Sequence, residues 1–434
     1  MNSTYYTSLS GMMAASYGLQ NTSNNVANMH TTGFKRNDIF YSSLGSSGSQ
    51  GGLGSGVYVG GQHVNYSAGT CLETANPSDL AIVGNGFFIV RLKNNELYYT
   101  RSGEFDFNDD GLLIEKHSRG LVQGYNKDGA LVPVSQFGPK VSPGQATTKV
   151  KLSGEFVIKE LDNEDTSDQD PFKSRYMPII FKVSVWGADG KEHTVTLKYT
   201  SPRSTPINKG TRSDNGSNPV DEMDARHWEL KEVSCPDADV TIDPDYFSQS
   251  IDFEGDAGGA PTHLNIGHII LNGTQKININ FYEDGDDKQS SVRLWKKDQI
   301  NDHVETNITI LKKDGYGNGR QIGASFDNNG LISYSYDNGQ TINGINVALA
   351  TFDDLEHTLI PMQDTLFRAK HLNGQHIGRP NTRGMGSIET KKLESANVDS
   401  TTEFANIVVL QRMFQACSQI MDIDKQLLEE ISKK

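Results

Sequence analysis

The chain has 434 residues, enough for two or three domains, and its 54 Asp and Glu against 40 Lys and Arg give a formal net charge of −14 at pH 7. This charge repels phosphate groups and excludes nucleic acid or an anionic membrane as the main partner. No run approaches the ~20 apolar residues of a membrane span, so membrane insertion is not predicted. Residues 1–28 lack the apolar core of a signal peptide. We therefore expect either a cytoplasmic protein or export without a cleaved signal.

The first predicted element is a helix over residues 1–28. Its seam positions alternate three and four residues apart, which is typical of a coiled coil. An isolated helix is marginal in water, so such a narrow seam requires a partner helix. The Asn-rich residues 23–28 end the helix. The seam positions are Tyr5, Leu9, Met12, Ser16, Leu19, Ser23 and Val26.

Residues 41–61 are rich in glycine and serine and predict a flexible connector. A phosphate-binding loop would require a strand before the glycines, a helix after them and often a lysine, and the segment fits none of these. We predict connectors over residues 29–70 and over the Gly-, Asn- and Arg-rich residues 366–395. The glycines of the first connector are Gly45, Gly48, Gly51, Gly52, Gly54, Gly56, Gly60 and Gly61.

A first β domain is predicted from apolar and aromatic runs that are separated by Asn-Gly, Asp-Gly and Ser-Gly turns. These hairpin signals fill residues 71–146 and return, with two Asn-Gly turns, in residues 319–365. The Gly-Asn-Gly at residues 84–86 is not a dinucleotide fingerprint, because a strand follows it without a third glycine. The more polar and acidic residues 147–318, with an alternating hairpin at residues 181–197, predict a second β domain inserted into the first.

Residues 106–111, which read Asp-Phe-Asn-Asp-Asp-Gly, begin like the calcium loop of an EF-hand. The twelfth position of such a loop carries a bidentate Glu, whereas here it is His117, and no predicted helices flank the segment. An acidic hairpin turn is therefore the preferred interpretation, and calcium binding stays open as the alternative.

Other patterns give no candidate catalytic site. Cys71, Cys235 and Cys417 are far apart and odd in number, so neither a disulfide framework nor a zinc site is predicted. His371 and His376 are expected to be solvated loop side chains, because no third ligand clusters with them in the sequence. Nucleophile elbows, Walker loops and zinc-protease motifs do not occur. The sequence therefore predicts a structural protein with no cofactor.

The last predicted element is a helix that follows Leu393 and runs to the end of the chain. Ser400 and Glu403 form a predicted capping box, and Lys433 and Lys434 lie where a helix C-terminus favours cations. Its seam again alternates in steps of three and four residues, interrupted by a polar position. The seam residues are Ile407, Leu410, Phe414, Cys417, Met421, Leu428 and Ile431.

Residues 1–28 and 396–434 are thus predicted to form a coiled-coil-like helical core. Periodicity alone leaves two arrangements open: the helices close on each other in one globular domain, or they pack mainly against other copies of the chain. A two-helix seam buries little apolar surface, so we expect the helices to become ordered mainly on assembly. The non-serine seam residues of both helices are the predicted assembly interface.

Several motifs occur in the same order as in the bacterial flagellar axial proteins, the rod and hook family, and the chain resembles that family over roughly residues 1–146 and 319–434. One departure is Ala396, which stands between Ser395 and Asn397 in the C-terminal motif. The motifs that carry the resemblance are residues 10–12, 18–19, 23–28, 32–35, 72–82, 84–90 and 99–105.

The resemblance implies a mainly β, multidomain subunit that is exported through the channel of the flagellum and polymerises outside the cell. The large insertion and the β segment at residues 327–352 are more similar to the hook branch, whose subunits form a curved tube acting as a universal joint, than to the rod branch. The implied partners are copies of the chain, the rod, hook-cap and hook–filament junction proteins, and the export apparatus. The alternatives are a distal rod protein or a secreted carbohydrate-binding or adhesive β protein.

Overall fold

A computed structural model describes residues 2–45, 56–126, 128–159, 176–201, 226–245, 250–254, 259–263, 265–281, 283–284, 289–290, 292–296 and 306–432. The described chain is mainly β with a long helix near each end, as the sequence predicted. It divides into two compact units. Unit 1 comprises Met1–Lys140, Gln321–Ser335 and Thr341–Lys434, and unit 2 comprises Val141–Arg320 and Tyr336–Gln340. The finer assignment of a helical core, connectors and two β domains stays a prediction.

The described helices are α1 (Asn2–Ala27), α2 (Leu355–Thr358) and α3 (Ser400–Ser432). The predicted C-terminal lysines, Lys433 and Lys434, lie outside the described residues. The strands of the first half of the chain are β1 (Asn37–Ser43), β2 (Val57–Val64), β3 (Cys71–Glu73), β4 (Leu80–Val83), β5 (Phe87–Arg91), β6 (Leu97–Thr100), β7 (Phe105–Phe107), β8 (Leu113–Glu115), β9 (Leu121–Tyr125), β10 (Leu131–Pro133), β11 (Val141–Ser142), β12 (Lys149–Ile158), β13 (Ile179–Trp186) and β14 (Glu192–Thr200). The strands that follow are β15 (His227–Ser234), β16 (Val240–Ile242), β17 (Ser250–Asp252), β18 (Asn265–Leu271), β19 (Gln275–Phe281), β20 (Glu283–Asp284), β21 (Gln289–Ser290), β22 (Val292–Lys296), β23 (Asn307–Lys313), β24 (Gly319–Phe326), β25 (Leu331–Tyr336), β26 (Thr341–Val347), β27 (Leu349–Phe352), β28 (Leu359–Pro361), β29 (Leu366–Ala369), β30 (Gln375–Gly378), β31 (Ser387–Thr390) and β32 (Lys392–Glu394).

The main sheet of unit 1 has the strand order β24-β25-β26-β9-β5-β6-β29-β28. On one face of β5, the ring of Phe87 makes edge-on contacts with Tyr66 and Phe367, with ring centroids 6.0 and 5.7 Å apart. The next residue, Phe88, packs edge-on against Phe105 at 5.0 Å. Strand β5 is therefore buried on both faces, which explains why its sequence is continuously apolar rather than alternating.

The segment predicted to be a flexible connector contains, where the structure describes it, the antiparallel hairpin of β1 and β2. Residues 46–55, which hold four of the eight glycines, lie outside the described residues. Two of the remaining glycines have a packing role rather than a flexible one. The ring of Phe40 lies across Gly60 and Gly61, where an added Cβ would be 2.9 and 2.5 Å from ring atoms.

The predicted return connector also contains strands. Strand β29 lies inside the main sheet between β6 and β28, β31 pairs with β4, and β32 pairs with β3. Strands β31 and β32 have only three or four residues, and their partners β4 and β3 are far away in the sequence, so no local hairpin signal marks them. Strand β29 pairs both with the neighbouring β28 and with the distant β6. The C-terminal part of the chain is thereby tied to the β body of unit 1.

Unit 2 has a four-stranded sheet in the order β13-β14-β15-β17 and a six-stranded sheet that includes β16-β18-β19-β12-β22, with β23 on β12. One cluster of buried side chains draws residues from both sheets. At its centre, Phe156 contacts Phe181 and Phe281 edge-on, with centroids 5.8 Å apart in each case. The hairpin predicted around residues 181–197 is present, and its Asp-Gly turn places Gly190 at φ +75°.

The N-terminus of α3 is capped by Asp399, whose Oδ1 accepts a hydrogen bond from the backbone N–H of Thr402 at 2.8 Å. This bond holds the pKa of Asp399 below its usual value. The predicted capping box is therefore wrong, because Ser400 is already the first helical residue. Glu403, the other member of that box, instead lies 2.8 Å from Nε of Arg36.

Candidate assembly interface

Helices α1 and α3 pack antiparallel through small side chains. An added Cβ on Gly11 would lie 2.8 Å from Sγ of Cys417, and one on Gly18 would lie 2.8 Å from a methyl of Leu410. These two contacts run in opposite directions along the helices. The buried stripe of α1 that contains both glycines alternates in steps of three and four residues, and it consists of Ser8, Gly11, Ala15, Gly18, Thr22 and Asn25.

The structure places the predicted seam residues partly on this contact and partly beside it. On α3, Ile407, Leu410, Cys417 and Met421 are half-buried, whereas Phe414, Leu428 and Ile431 are exposed. On α1, Leu9, Met12 and Val26 are half-buried, and Tyr5 and Leu19 are exposed. The α1 contact stripe is thus offset from the predicted seam, because glycine, alanine and serine give no hydrophobic signal. The repeat of small residues at positions 8, 11, 15 and 18 is the pattern that marks it.

Both helices expose large apolar side chains, which we call the outer apolar faces. Soluble monomers rarely leave contiguous apolar surface in water, and such surface marks sites of association. On α1 these side chains are Tyr5, Tyr6, Met13, Tyr17 and Leu19. On α3 they are Phe404, Val408, Val409, Phe414, Ile420, Ile423, Leu427, Leu428 and Ile431.

A buried charged cluster, which we call the junction, joins the chain segments next to both helices. Glu394 accepts from Nζ of Lys35 at 2.6 Å and from Nη1 of Arg101 at 3.2 Å. Its Oε1 also accepts from the backbone N–H of Gly69 at 2.9 Å, and Lys35 donates to the carbonyl of Ser67 at 2.7 Å. Burial lowers the pKa of Lys35 and of Arg101, and Glu394 opposes both shifts. The sequence did not mark this cluster, because its members are far apart along the chain.

The asparagines near the helix ends fix the path of the chain. Asn25, which is 1% exposed, donates to the carbonyl of Asn37 at 2.9 Å and accepts from its N–H at 3.0 Å. Asn397 accepts from the N–H of Arg36 at 2.7 Å and donates to the carbonyls of Asn65 and Ser67 at 2.8 and 3.0 Å. Each asparagine side chain thus bonds to backbone N–H and C=O groups that have no partner in a regular helix or strand where these segments meet.

The glycine that follows α1 is required by geometry. Gly33 adopts φ +70°, and an added Cβ would lie 2.3 Å from the backbone nitrogen of Ser102. Its N–H donates to the carbonyl of Glu394 at 2.8 Å. This close approach places the segment between α1 and β1 directly on the junction.

The segments that resemble metal ligands in sequence form ordinary local structure. In residues 106–111, which begin like a calcium loop, Asn108 turns the β7–β8 hairpin by accepting from the N–H of Leu112 through Oδ1 at 2.8 Å. His376 lies on β30 rather than in a loop, and its Nε2 is 3.1 Å from Oδ1 of Asp353. Among the residues that the structure describes, no group of three or more His, Cys, Asp or Glu side chains could hold a metal ion. No described helix is long and apolar enough to cross a membrane.

Three family models of flagellar axial proteins match parts of the chain. The flagellar basal body rod protein model matches residues 6–35, which include most of α1 and Gly33. The model of the D1 domain of flagellar hook proteins FlgE, FlgF and FlgG matches residues 81–151. The C-terminal model of the basal body rod FlgEFG proteins matches residues 390–433, which include Glu394 and α3. The matches therefore cover the outer apolar faces except Tyr5, and all three charged side chains of the junction.

Full-length relatives narrow this class further. The chain is 24% identical to the flagellar hook protein FlgE of Borreliella burgdorferi, and 26% and 25% identical to the FlgE proteins of Salmonella typhimurium and Escherichia coli. Each alignment covers 98% of this chain and 98% of the relative. A Helicobacter pylori flagellar hook protein FlgE2 structure matches 75% of this chain and 100% of its own length, with 12% identity and a TM-score of 0.39. The family models and the full-length relatives together support a flagellar hook protein.

Proposed function

We propose that this chain is the structural subunit of a flagellar hook and that it polymerises by burying the outer apolar faces of α1 and α3 against neighbouring copies. The observation that carries the proposal is the row of large apolar side chains that α3 exposes along its whole length, from Phe404 to Ile431. A helical tube requires heterologous contacts that do not close, and therefore different faces on each subunit. The two helices supply different faces.

The twelve residues of the predicted assembly interface divide between two roles in this proposal. Leu410 and Cys417, which lie against the glycines of α1, hold the helix pair together within a subunit. Tyr5, Leu19 and Phe414, which are exposed, contact other copies. The outer faces therefore extend the predicted interface to exposed residues outside the seam, such as Val409, which is 64% exposed.

We further propose that the subunit leaves the cell through the flagellar export channel without a cleaved signal peptide, and that it contacts the rod, hook-cap and hook–filament junction proteins. The family supports a flagellar location and an association with other flagellar components. The full-length relatives named above are hook proteins, so the distal rod and adhesive alternatives are not favoured. A structural role also agrees with the lack of a predicted catalytic motif.

The substitution Phe414→Asp tests the interface. Its side chain is 42% exposed in one subunit, so the charge is tolerated by the free chain, but burial of an unpaired carboxylate in a tube is costly. We expect the variant to melt like the unmodified chain and to form no tubes in electron micrographs. Gln419→Asp places the same charge at an exposed polar position of the same helix and should still polymerise. Normal tubes from Phe414→Asp would contradict the proposed interface.

A further inference from the structure

Strand β24 ends the main sheet of unit 1 with an outer edge that is mostly unpaired. On one side it pairs with β25. On the other side β11 pairs only with its first two residues, at Arg320 and Gly319. Within the described part of the chain, residues 322–326 therefore have no strand partner on that side. The carbonyl of Gly323 accepts a long hydrogen bond from Nε2 of Gln321 at 3.4 Å.

This edge has none of the features that usually protect a sheet edge. Residues 322–326 read Ile-Gly-Ala-Ser-Phe, with no charge and no proline, and Ile322 is 70% exposed. The strand at the opposite end of the same sheet, β28, has only three residues and ends in Pro361. Natural proteins shorten edges or place charges and prolines on them to prevent association. The contrast within one sheet indicates that the β24 edge is covered in the functional state.

The edge borders a preformed apolar groove of about 400 Å³. Phe107 and Phe326 stack along it with ring centroids 6.4 Å apart and planes 3° apart, and Phe137 lies on it with 59% of its surface exposed. The side chain of Gln321 fixes the segment that carries Phe137, because it donates to the carbonyl of Gln136 at 2.6 Å and accepts from the N–H of Gly138 at 2.9 Å. The groove is thus fixed without any occupant.

The charge of the molecule indicates what can occupy the groove. None of the residues that line it is charged, although the chain carries a formal net charge of −14. Two copies of such a chain repel each other across most of their surfaces, and they approach closely at lowest cost where neither presents a charge. A basic partner would instead be expected to meet acidic side chains, which the groove lacks.

We propose that the β24 edge and its groove are a second intersubunit interface, separate from the helices, and that a neighbouring copy of this chain covers them in the tube. The proposal rests on the proposed function, since it requires a polymer. In this proposal the β body of unit 1 takes a direct part in subunit contacts. Ile322 and Phe137 are the side chains that lose the largest exposed surface when the tube forms. The contact is uncharged, so it should be far less sensitive to salt than an ion-pair interface.

Thiol labelling tests the proposal. Ile322→Cys and the nearly isosteric Ser325→Cys are prepared separately and copolymerised as a minor component with unmodified chain, and mass spectrometry follows maleimide labelling at each site. Both thiols should react rapidly in the free subunit and about tenfold or more slowly in tubes, as expected for protection by burial. Leu372→Cys is the matched control, because Leu372 is also 70% exposed in unit 1 but lies beside Lys370 and His371. Its thiol should react equally fast in both states.

The outcomes separate this inference from the proposed function. Tubes in which the Ile322→Cys and Ser325→Cys thiols react as fast as in free subunits would overturn the inference and leave the helical interface intact. Slow labelling in the free subunit would show that the chain covers its own groove, and would also overturn it. An unmodified chain that forms no tubes at all would contradict the proposed function itself.

Discussion

At the scale of single residues, the buried carboxylate of Glu394 forms ion pairs with two buried cations. The side chains of Lys35 and Glu394 are 1% and 0% exposed, and that of Arg101 is 5% exposed. A buried ion pair adds little net stability compared with apolar residues, but removal of one partner leaves a charge unpaired. The junction is therefore a point where one change has a large effect.

Glu394→Gln should lower the free energy of unfolding of unit 1 by about 3 kcal/mol, because Lys35 and Arg101 lose their only described carboxylate partner. Urea denaturation, followed by hydrogen exchange of peptides from β5, measures this change. Glu389→Gln is the control, because the side chains of its ion pair with Lys392 are 39% and 33% exposed rather than buried. A variant of Glu394 that unfolds at the same urea concentration as the control would show that the cluster is solvated.

The loss of stability caused by Glu394→Gln should depend on pH, and the direction of this dependence can be derived. Burial lowers the pKa of Lys35 below its usual value of 10.5, so the folded state binds fewer protons than the unfolded state between the two pKa values. Stability from this group therefore rises with pH across that range. Without Glu394, the pKa of Lys35 falls further, and the destabilisation by Glu394→Gln should shrink as the pH is raised toward 10.5.

At the scale of elements, α1 contacts α3 through a stripe of small residues that is offset from its own predicted seam, and Leu410 and Cys417 of the predicted α3 seam pack against this stripe. Gly18→Leu should destabilise the pair, because its side chain would have to displace Leu410 and the hydroxyl of Tyr41. Overpacking costs about 1–3 kcal/mol, more than the ~1 kcal/mol that leucine gains over glycine in helix propensity. Thermal unfolding of the free subunit, followed by circular dichroism at 222 nm, measures the change.

Ser16→Leu is the matched control for this prediction. Ser16 belongs to the predicted seam of α1 but is exposed in the structure. If the structure has the correct contact stripe, leucine at Ser16 leaves the melting temperature unchanged or raises it. The reverse order, with Ser16→Leu more harmful than Gly18→Leu, would favour the seam derived from hydrophobic periodicity.

The elements also show which features a sequence can reveal. Hairpins such as β13–β14 were predictable because a turn with Gly190 joins two alternating strands that pair locally. Strands such as β31 and β32 were not, because they are short and their partners lie hundreds of residues away. Of the interface, the exposed Phe414 was predicted, but the contact of Gly11 with Cys417 was not, since glycine carries no apolar signal.

At the scale of the whole molecule, the β body of unit 1 depends on strands that enter from the C-terminal side. A fragment of residues 66–395 keeps β3 to β32, and Arg101 still pairs with Glu394 after Lys35 is lost. We expect it to fold cooperatively and to form no tubes, since it lacks both outer apolar faces. A shorter fragment of residues 71–365 loses β29, which lies inside the main sheet, and should leave β5 unprotected from hydrogen exchange. Equal protection of β5 in both fragments would contradict this dependence.

The outer apolar faces have a consequence for how a tube responds to temperature. In the proposed interface, side chains such as Tyr6 and Val409, which are 62% and 64% exposed in the free subunit, would pass from water into an apolar contact when a copy is added. Near room temperature that transfer is driven by entropy and weakens on cooling. The heat-capacity change of subunit addition is then negative, and growth of the tube is favoured by moderate warmth, whereas subunits at its ends are held least firmly in the cold.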